Sequence, residues 1–174
     1  GLEVVEGGHL LPVEVQGVVP LDHLVDAVHI LHDEAGARRV EGVTTEGHHR
    51  LIIPDEVEAI RAAITSAAAS GARLVFTTGG TGLSPRDVTP EATEPLLATR
   101  IDGLADAIRR RGEENVASAA LSRGLVGVTA RSDEGTLVVN APGSRGGVTD
   151  AVAVIGPLIA HIIDQLAGGD HPRV

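Results

Sequence analysis

An apolar run that stops abruptly at glycine constrains this chain more than any other feature. Residues Ala72 to Thr78 are rich in Val, Phe and Thr, and Gly79-Gly80-Thr81-Gly82 follow at once. A short apolar run with these residue types reads as a strand buried on both faces. Upstream, Val57, Ile60, Ala63, Ile64 and Ala67 recur at helical spacing, and Gly71 closes the segment. Asp55 and Glu56 place acid at the start of that helix, where its dipole favours negative charge. Downstream, Thr89-Pro90-Glu91 predicts a second helix over Thr89 to Thr99, with Thr as cap, Pro at the first helical position and acid behind it.

The same alternation continues to the end of the chain. Asp102 to Arg111 reads as a helix with Leu104, Ala105 and Ile108 inward. Gly124 to Ala130 and Gly135 to Asn140 read as strands, and the second runs into a turn-rich loop, Ala141 to Gly147. Val148 to Leu166 predicts a last helix, with Val152, Ile155, Ile159, Ile162, Ile163 and Leu166 on one face. Strands alternating with helices imply βαβ units, hence an α/β fold with a mostly parallel sheet. Ligands of such sheets sit at the carboxyl ends of the strands, where both Gly-rich loops fall. Before residue 50 the pattern is weaker. Leu11 to Val19 and Val40 to Thr45 fit strands, and Leu21, Leu24, Val25, Val28 and Leu31 fit a helix ended by Gly36. With 174 residues, one domain is expected over 1–174.

Composition narrows the function classes. Phe76 is the single aromatic residue, so small and branched aliphatics must build the core. Cysteine is absent, which removes disulfides, thiolate metal sites and a Cys nucleophile. A formal charge of −10 argues against nucleic acid as a partner, because that contact needs clustered basic residues. The apolar runs are far shorter than the ~20 residues that cross a bilayer, and no secretory signal is visible, so no membrane partner and a cytoplasmic location are expected.

The chemistry concentrates in Thr77 to Glu91. Glycines directly after a buried strand allow positive φ and leave consecutive N–H groups free to cradle an anion. Thr81 and Ser84 add hydroxyls, and Asp87 is placed to hold a cation or accept hydrogen bonds from a heterocycle. The alternative is a tight strand-to-helix turn with Asp87 as its cap. Neither a Walker element nor a G-x-G-x-x-G run ends a strand, which disfavours a generic nucleotide-binding domain.

Gly79 to Glu91 closely resembles the signature of the Mog/MoaB-type molybdopterin-binding proteins. Three more stretches support the likeness in the same order: Arg50 to Glu56, Leu121 to Val128 and Leu137 to Gly147. The resemblance covers about residues 48–174 and leaves 1–47 unmatched, where the Ser-Asp pair that usually opens the family is not found. It implies a three-layer α/β sandwich and a nucleotidyltransferase that adenylylates molybdopterin with ATP and Mg²⁺. Asp55 and Asp87 would be the catalytic carboxylates and the Mg²⁺ ligands; a helix-capping acid is the other reading of Asp55. Gly79, Gly80, Thr81, Gly82, Ser84, Ser122, Asn140, Pro142, Gly143 and Ser144 would bind the substrate. The resemblance also implies a homotrimer or larger ring, with a molybdenum-insertion enzyme as a further partner. The competing class is a non-catalytic molybdopterin-binding or oligomerisation module.

Other polar clusters carry less. Asp26, His29, His32 and Asp33 would share a face if Leu21 to Ala35 were helical, and a solvated face is the expected reading over a metal site. Arg109-Arg110-Arg111 at a helix end fits the helix dipole.

Overall fold

Leu74 and Val75 are consecutive residues of one strand, and each anchors a separate apolar core. That is the period-two alternation of a strand covered on both faces. The computed structural model describes residues 27–32 and 49–169. Its strands are β1 (Ala27–His32), β2 (His49–Ile53), β3 (Leu74–Thr78), β4 (Thr99–Arg100), β5 (Val126–Val128) and β6 (Leu137–Ala141). Its helices are α1 (Val57–Ala69), α2 (Thr89–Thr93), α3 (Asp102–Glu113), α4 (Arg145–Ile155) and α5 (Ile159–Leu166), with 3₁₀ turns at Glu94–Leu96, Ala117–Leu121 and Gly156–Leu158.

The strands form one sheet in the order β2-β1-β3-β6-β5-β4. The first four are parallel; β5 runs antiparallel to β6, and β4 antiparallel to β5. On one face, Ile60, Ala63, Ile64 and Ala67 of α1 and Ala92 of α2 pack on Leu51, Ile53, Val75 and Val138. On the other, Ala105 and Ile108 of α3, Ala151 and Ile155 of α4 and Ile159 of α5 cover Leu74, Val126, Val128, Leu137, Val139 and Ala141. The molecule is therefore the three-layer α/β sandwich with a mostly parallel sheet. Phe76 is only partly buried against the second cluster, so branched aliphatics and Ala do fill the core.

Four boundaries differ from expectation. Ala27–His32 is a strand and not part of a helix, so the helical spacing that grouped His29 and His32 does not apply; Asp26 and Asp33 lie outside the described residues. So do the segments Leu11 to Val19 and Val40 to Thr45. The helix after the Gly-rich loop spans only Thr89–Thr93, and its cap position is Val88, with Thr89 already helical. Gly146 and Gly147 belong to α4 rather than to the loop before it. Finally, the last helix is two helices. Pro157 lacks an N–H for the helical ladder, and the chain tightens to a 3₁₀ turn there. By length and composition alone, the helical stretch Arg145–Leu166 is long and apolar enough to span a membrane. It packs Ala151, Ile155 and Ile159 into the core cluster on the sheet, and Val148 is buried as well.

Candidate functional site

The two Gly-rich loops leave neighbouring parallel strands at the same level. Thr78 of β3 pairs in register with Ala141 of β6. The N–H of Gly79 then donates to the carbonyl of Ala141 at 3.1 Å, so the loops start hydrogen-bonded to each other. Gly79 and Gly80 turn the chain with φ of 95° and 63°. At Gly80 a side chain is doubly excluded: its β-carbon would lie 2.3 Å from the Thr89 hydroxyl oxygen. The second loop meets α4 through Ser144, whose hydroxyl accepts from the N–H of Gly147 at 3.0 Å.

Between the loops lies a cavity of about 720 Å³. Gly79, Gly80, Thr81, Gly82, Asp87, Ser122, Pro142, Gly143 and Ser144 all line it. This volume is in the range of small-molecule pockets. Its far wall was not apparent from sequence: Ile108, Arg109 and Gly112 of α3, the 3₁₀ segment around Val116 and Ala119, and Thr149 and Asp150 of α4. Gly112 allows this wall to close, since a β-carbon there would meet that of Ala119 at 2.7 Å. Arg110 and Arg111 occupy the last turn of α3 as the dipole favours. Arg109 does something else, donating to the carbonyls of Ser122 and Gly124 at 3.2 and 3.4 Å.

Three expected site residues are placed differently. Asn140 is 2% exposed and does not line the cavity. Its amide nitrogen donates to the hydroxyls of Thr77 and Thr93 at 3.0 and 3.1 Å, and its oxygen accepts from the N–H of Leu125 at 3.2 Å. Asn140 thus ties β6 to β3, α2 and the segment entering β5, and both its N–H donors are taken. Ser84 lies outside the cavity, in a turn where its N–H donates to Asp87 Oδ2 at 2.9 Å and the Asp87 N–H returns to the Ser84 carbonyl at 2.9 Å. Asp87 therefore closes its own turn; no side chain caps α2. Asp55 is also outside the cavity, 18% exposed, with its carboxylate 3.4 Å from the Arg86 guanidinium. Asp55 and Asp87 are thus linked through adjacent residues of one turn.

In the sequence Arg123 stands out only as part of the Leu121 to Val128 segment, yet it makes several polar contacts beside the cavity. Its guanidinium donates to the carbonyls of Gly82 and Asp87 at 2.8 and 2.6 Å and to the carboxylate of Glu91. The hydrogen bond from Arg123 holds the Glu91 carboxyl below its ordinary pKa.

Fold and cavity together define an α/β domain with a glycine-lined binding cavity at the carboxyl ends of two parallel strands. The family model described as a probable molybdopterin binding domain matches residues 33–161, and the chain belongs to that family. The match begins before residue 48, where the sequence likeness was expected to start. A molybdenum cofactor biosynthesis bifunctional protein of Synechococcus elongatus is 39% identical over 122 residues, 70% of this chain but 37% of that protein. A molybdopterin adenylyltransferase of Helicobacter pylori is 35% identical over 95 residues, 55% of this chain and 52% of its own length. Among solved structures, the molybdopterin biosynthesis Mog protein of Mycobacterium ulcerans superposes with a TM-score of 0.72 at 35% identity, covering 82% of this chain and 97% of that one. The chain thus spans about a third to a half of these two curated relatives.

Proposed function

We propose that this chain is a molybdopterin adenylyltransferase, moving AMP from ATP to the terminal phosphate of molybdopterin. The observation that carries the reading is one cavity shared by the Gly79–Gly82 loop, the Pro142–Ser144 loop and the Asp87 carboxylate. A phosphate oxygen of molybdopterin attacks the α-phosphorus of ATP, the bond from that phosphorus to the bridging oxygen breaks, and pyrophosphate leaves. No nucleophile on the protein is needed, so the residues act by positioning and charge stabilisation. The loop N–H groups and the Thr81, Ser122 and Ser144 hydroxyls bind the phosphate-bearing pterin.

Among the described residues, His, Asp and Glu form no group of three or more that could hold a metal. Asp87 on the cavity, with Asp55 on the adjoining turn, would be the residues to hold a Mg²⁺, an ion that needs only one or two carboxylates in nucleotide sites. Bound there, such an ion would supply neutralisation of the triphosphate charge. In this reading the protein works in the cytoplasm as a homotrimer or larger ring and passes its product to a molybdenum-insertion enzyme.

A second reading, a molybdopterin carrier without chemistry, is favoured by the pairing of Asp55 with Arg86 outside the cavity. One experiment separates them: incubation with molybdopterin, ATP and Mg²⁺, following the adenylylated product beside a binding titration. Product formation, reduced at least ~10²-fold (about 2.7 kcal/mol) by Asp87→Asn with binding retained, supports the transferase. Binding without product establishes the carrier.

A further inference from the structure

Four successive carbonyls of the Gly-rich loop are taken by just two residues. The carbonyl of Gly79 accepts from the Thr89 hydroxyl and that of Gly80 from the Thr89 N–H, both at 3.0 Å. The carbonyl of Thr81 accepts from the Arg123 N–H and that of Gly82 from Arg123 Nε, both at 2.8 Å. In a planar trans peptide the N–H points opposite to the C=O. The N–H groups paired with these carbonyls belong to Gly80, Thr81, Gly82 and Leu83. Among the described residues, none accepts a hydrogen bond from any of the four. Gly80, Thr81 and Gly82 line the cavity.

Arg123 also reaches the far end of the loop. Its Nη2 donates to the Asp87 carbonyl at 2.6 Å while Nε holds Gly82, so one guanidinium staples both ends of the Gly82–Asp87 turn. The arginine is itself braced. Arg109 holds the carbonyls on either side of it, those of Ser122 and Gly124. Glu91 fixes the remaining nitrogen. A planar fork with donors in three directions suits this task, and an ammonium does not.

We propose that Arg123 is a positioning residue for the substrate's phosphate site: its backbone N–H turns the Gly82 amide away from itself, and its guanidinium staples the turn that carries Gly82 and Asp87, both of which line the cavity. The inference rests on the transferase reading only for which phosphate-bearing molecule binds. Arg123 touches neither substrate nor reacting atoms; it presets the groups that do, so that no loop ordering is needed on binding.

The test uses the full chain labelled with ¹⁵N, titrated with inorganic pyrophosphate and followed through the amide signals. In the wild type the Gly80, Thr81 and Gly82 amides, which line the cavity, should shift together along one binding curve. Arg123→Gln should weaken pyrophosphate binding by at least ~10-fold while the sheet amides keep their dispersion. Arg123→Lys retains the positive charge and the backbone N–H to Thr81 but not the two-carbonyl staple, and it should lose affinity nearly as far. The lysine variant thereby separates geometry from charge, and stands in if Arg123→Gln does not fold. Unchanged affinity in either folded variant, or wild-type amides that do not respond, overturns the proposal. A wild type that moves these amides but makes no adenylylated product sinks the transferase reading and leaves this one standing.

Discussion

Gly143 backs directly onto Gly79: a β-carbon built on Gly143 would lie 3.1 Å from the Cα of Gly79. The two loops that share the cavity are thus in backbone contact, and the width of the cavity mouth depends on the absence of one methyl group. Gly143→Ala should force the loops apart by a few tenths of an ångström and cost about 1 kcal/mol of stability. Gly80→Ala should cost more, roughly 2–3 kcal/mol, because its φ of 63° and the Thr89 hydroxyl both oppose it. Urea unfolding of the two variants checks the ranking; equal losses would contradict it.

Asn140 should behave as a structural residue. Asn140→Ala leaves the Leu125 N–H without its 3.2 Å acceptor and two threonine hydroxyls without their donor, all in a buried place. A loss on the order of 2–3 kcal/mol is expected in urea unfolding. Ligand affinity of the folded protein should stay at the wild-type level, whereas a direct contact would show as weaker binding.

Ser144 ends the second loop and starts α4. Ser144→Ala removes the acceptor for the Gly147 N–H and should cost about 1 kcal/mol, while Ser144→Gly should cost only a few tenths. Thermal unfolding of the pair distinguishes a cap from a side chain that serves the cavity alone, for which both variants would melt with the wild type.

Glu91 supplies a pH dependence with a definite sign. Its folded pKa lies below the ordinary value of 4.5, chiefly through the hydrogen bond from Arg123. The unfolded chain therefore binds the proton more readily, so this contribution is fully present above pH 4.5 and is lost as pH falls through the lowered folded value. The Glu91 side chain is half exposed, and solvent screening keeps the effect small. Melting temperatures of wild type and Glu91→Gln should differ near neutral pH and converge in acid. A difference that persists below the folded pKa would mean that the charge is not its source.

The strand before Gly79, the helix of Val57 to Ala69 and the Gly-rich loops were legible because each depends on local rules: residue type, period and the φ freedom of glycine. Asp87 was legible as a polar group near a loop end but not as the acceptor from Ser84, since a turn and a cap offer the same carboxylate similar partners. The segment Ala27–His32 was misread. Its apolar spacing suits a helix, yet its hydrogen bonds go to β2 and β3, strands that helical periodicity cannot register. Pro157 lies within a broad apolar face whose helical period runs on across it, so the periodicity masks the break that proline imposes on the ladder.

Determined by the sequence alone are the α/β alternation, the two glycine loops at strand ends and the residues that line them, because propensity, periodicity and backbone permissiveness act within a few residues. Decided only by the tertiary structure are the burial of Asn140 in a network, the placing of Asp55 against Arg86, and the grip of Arg123 on a loop 41 residues away. The physical reason is common to all three. A polar side chain can satisfy its hydrogen bonds from many partners, and which partners come within reach is settled by how the layers pack, not by its neighbours in the chain.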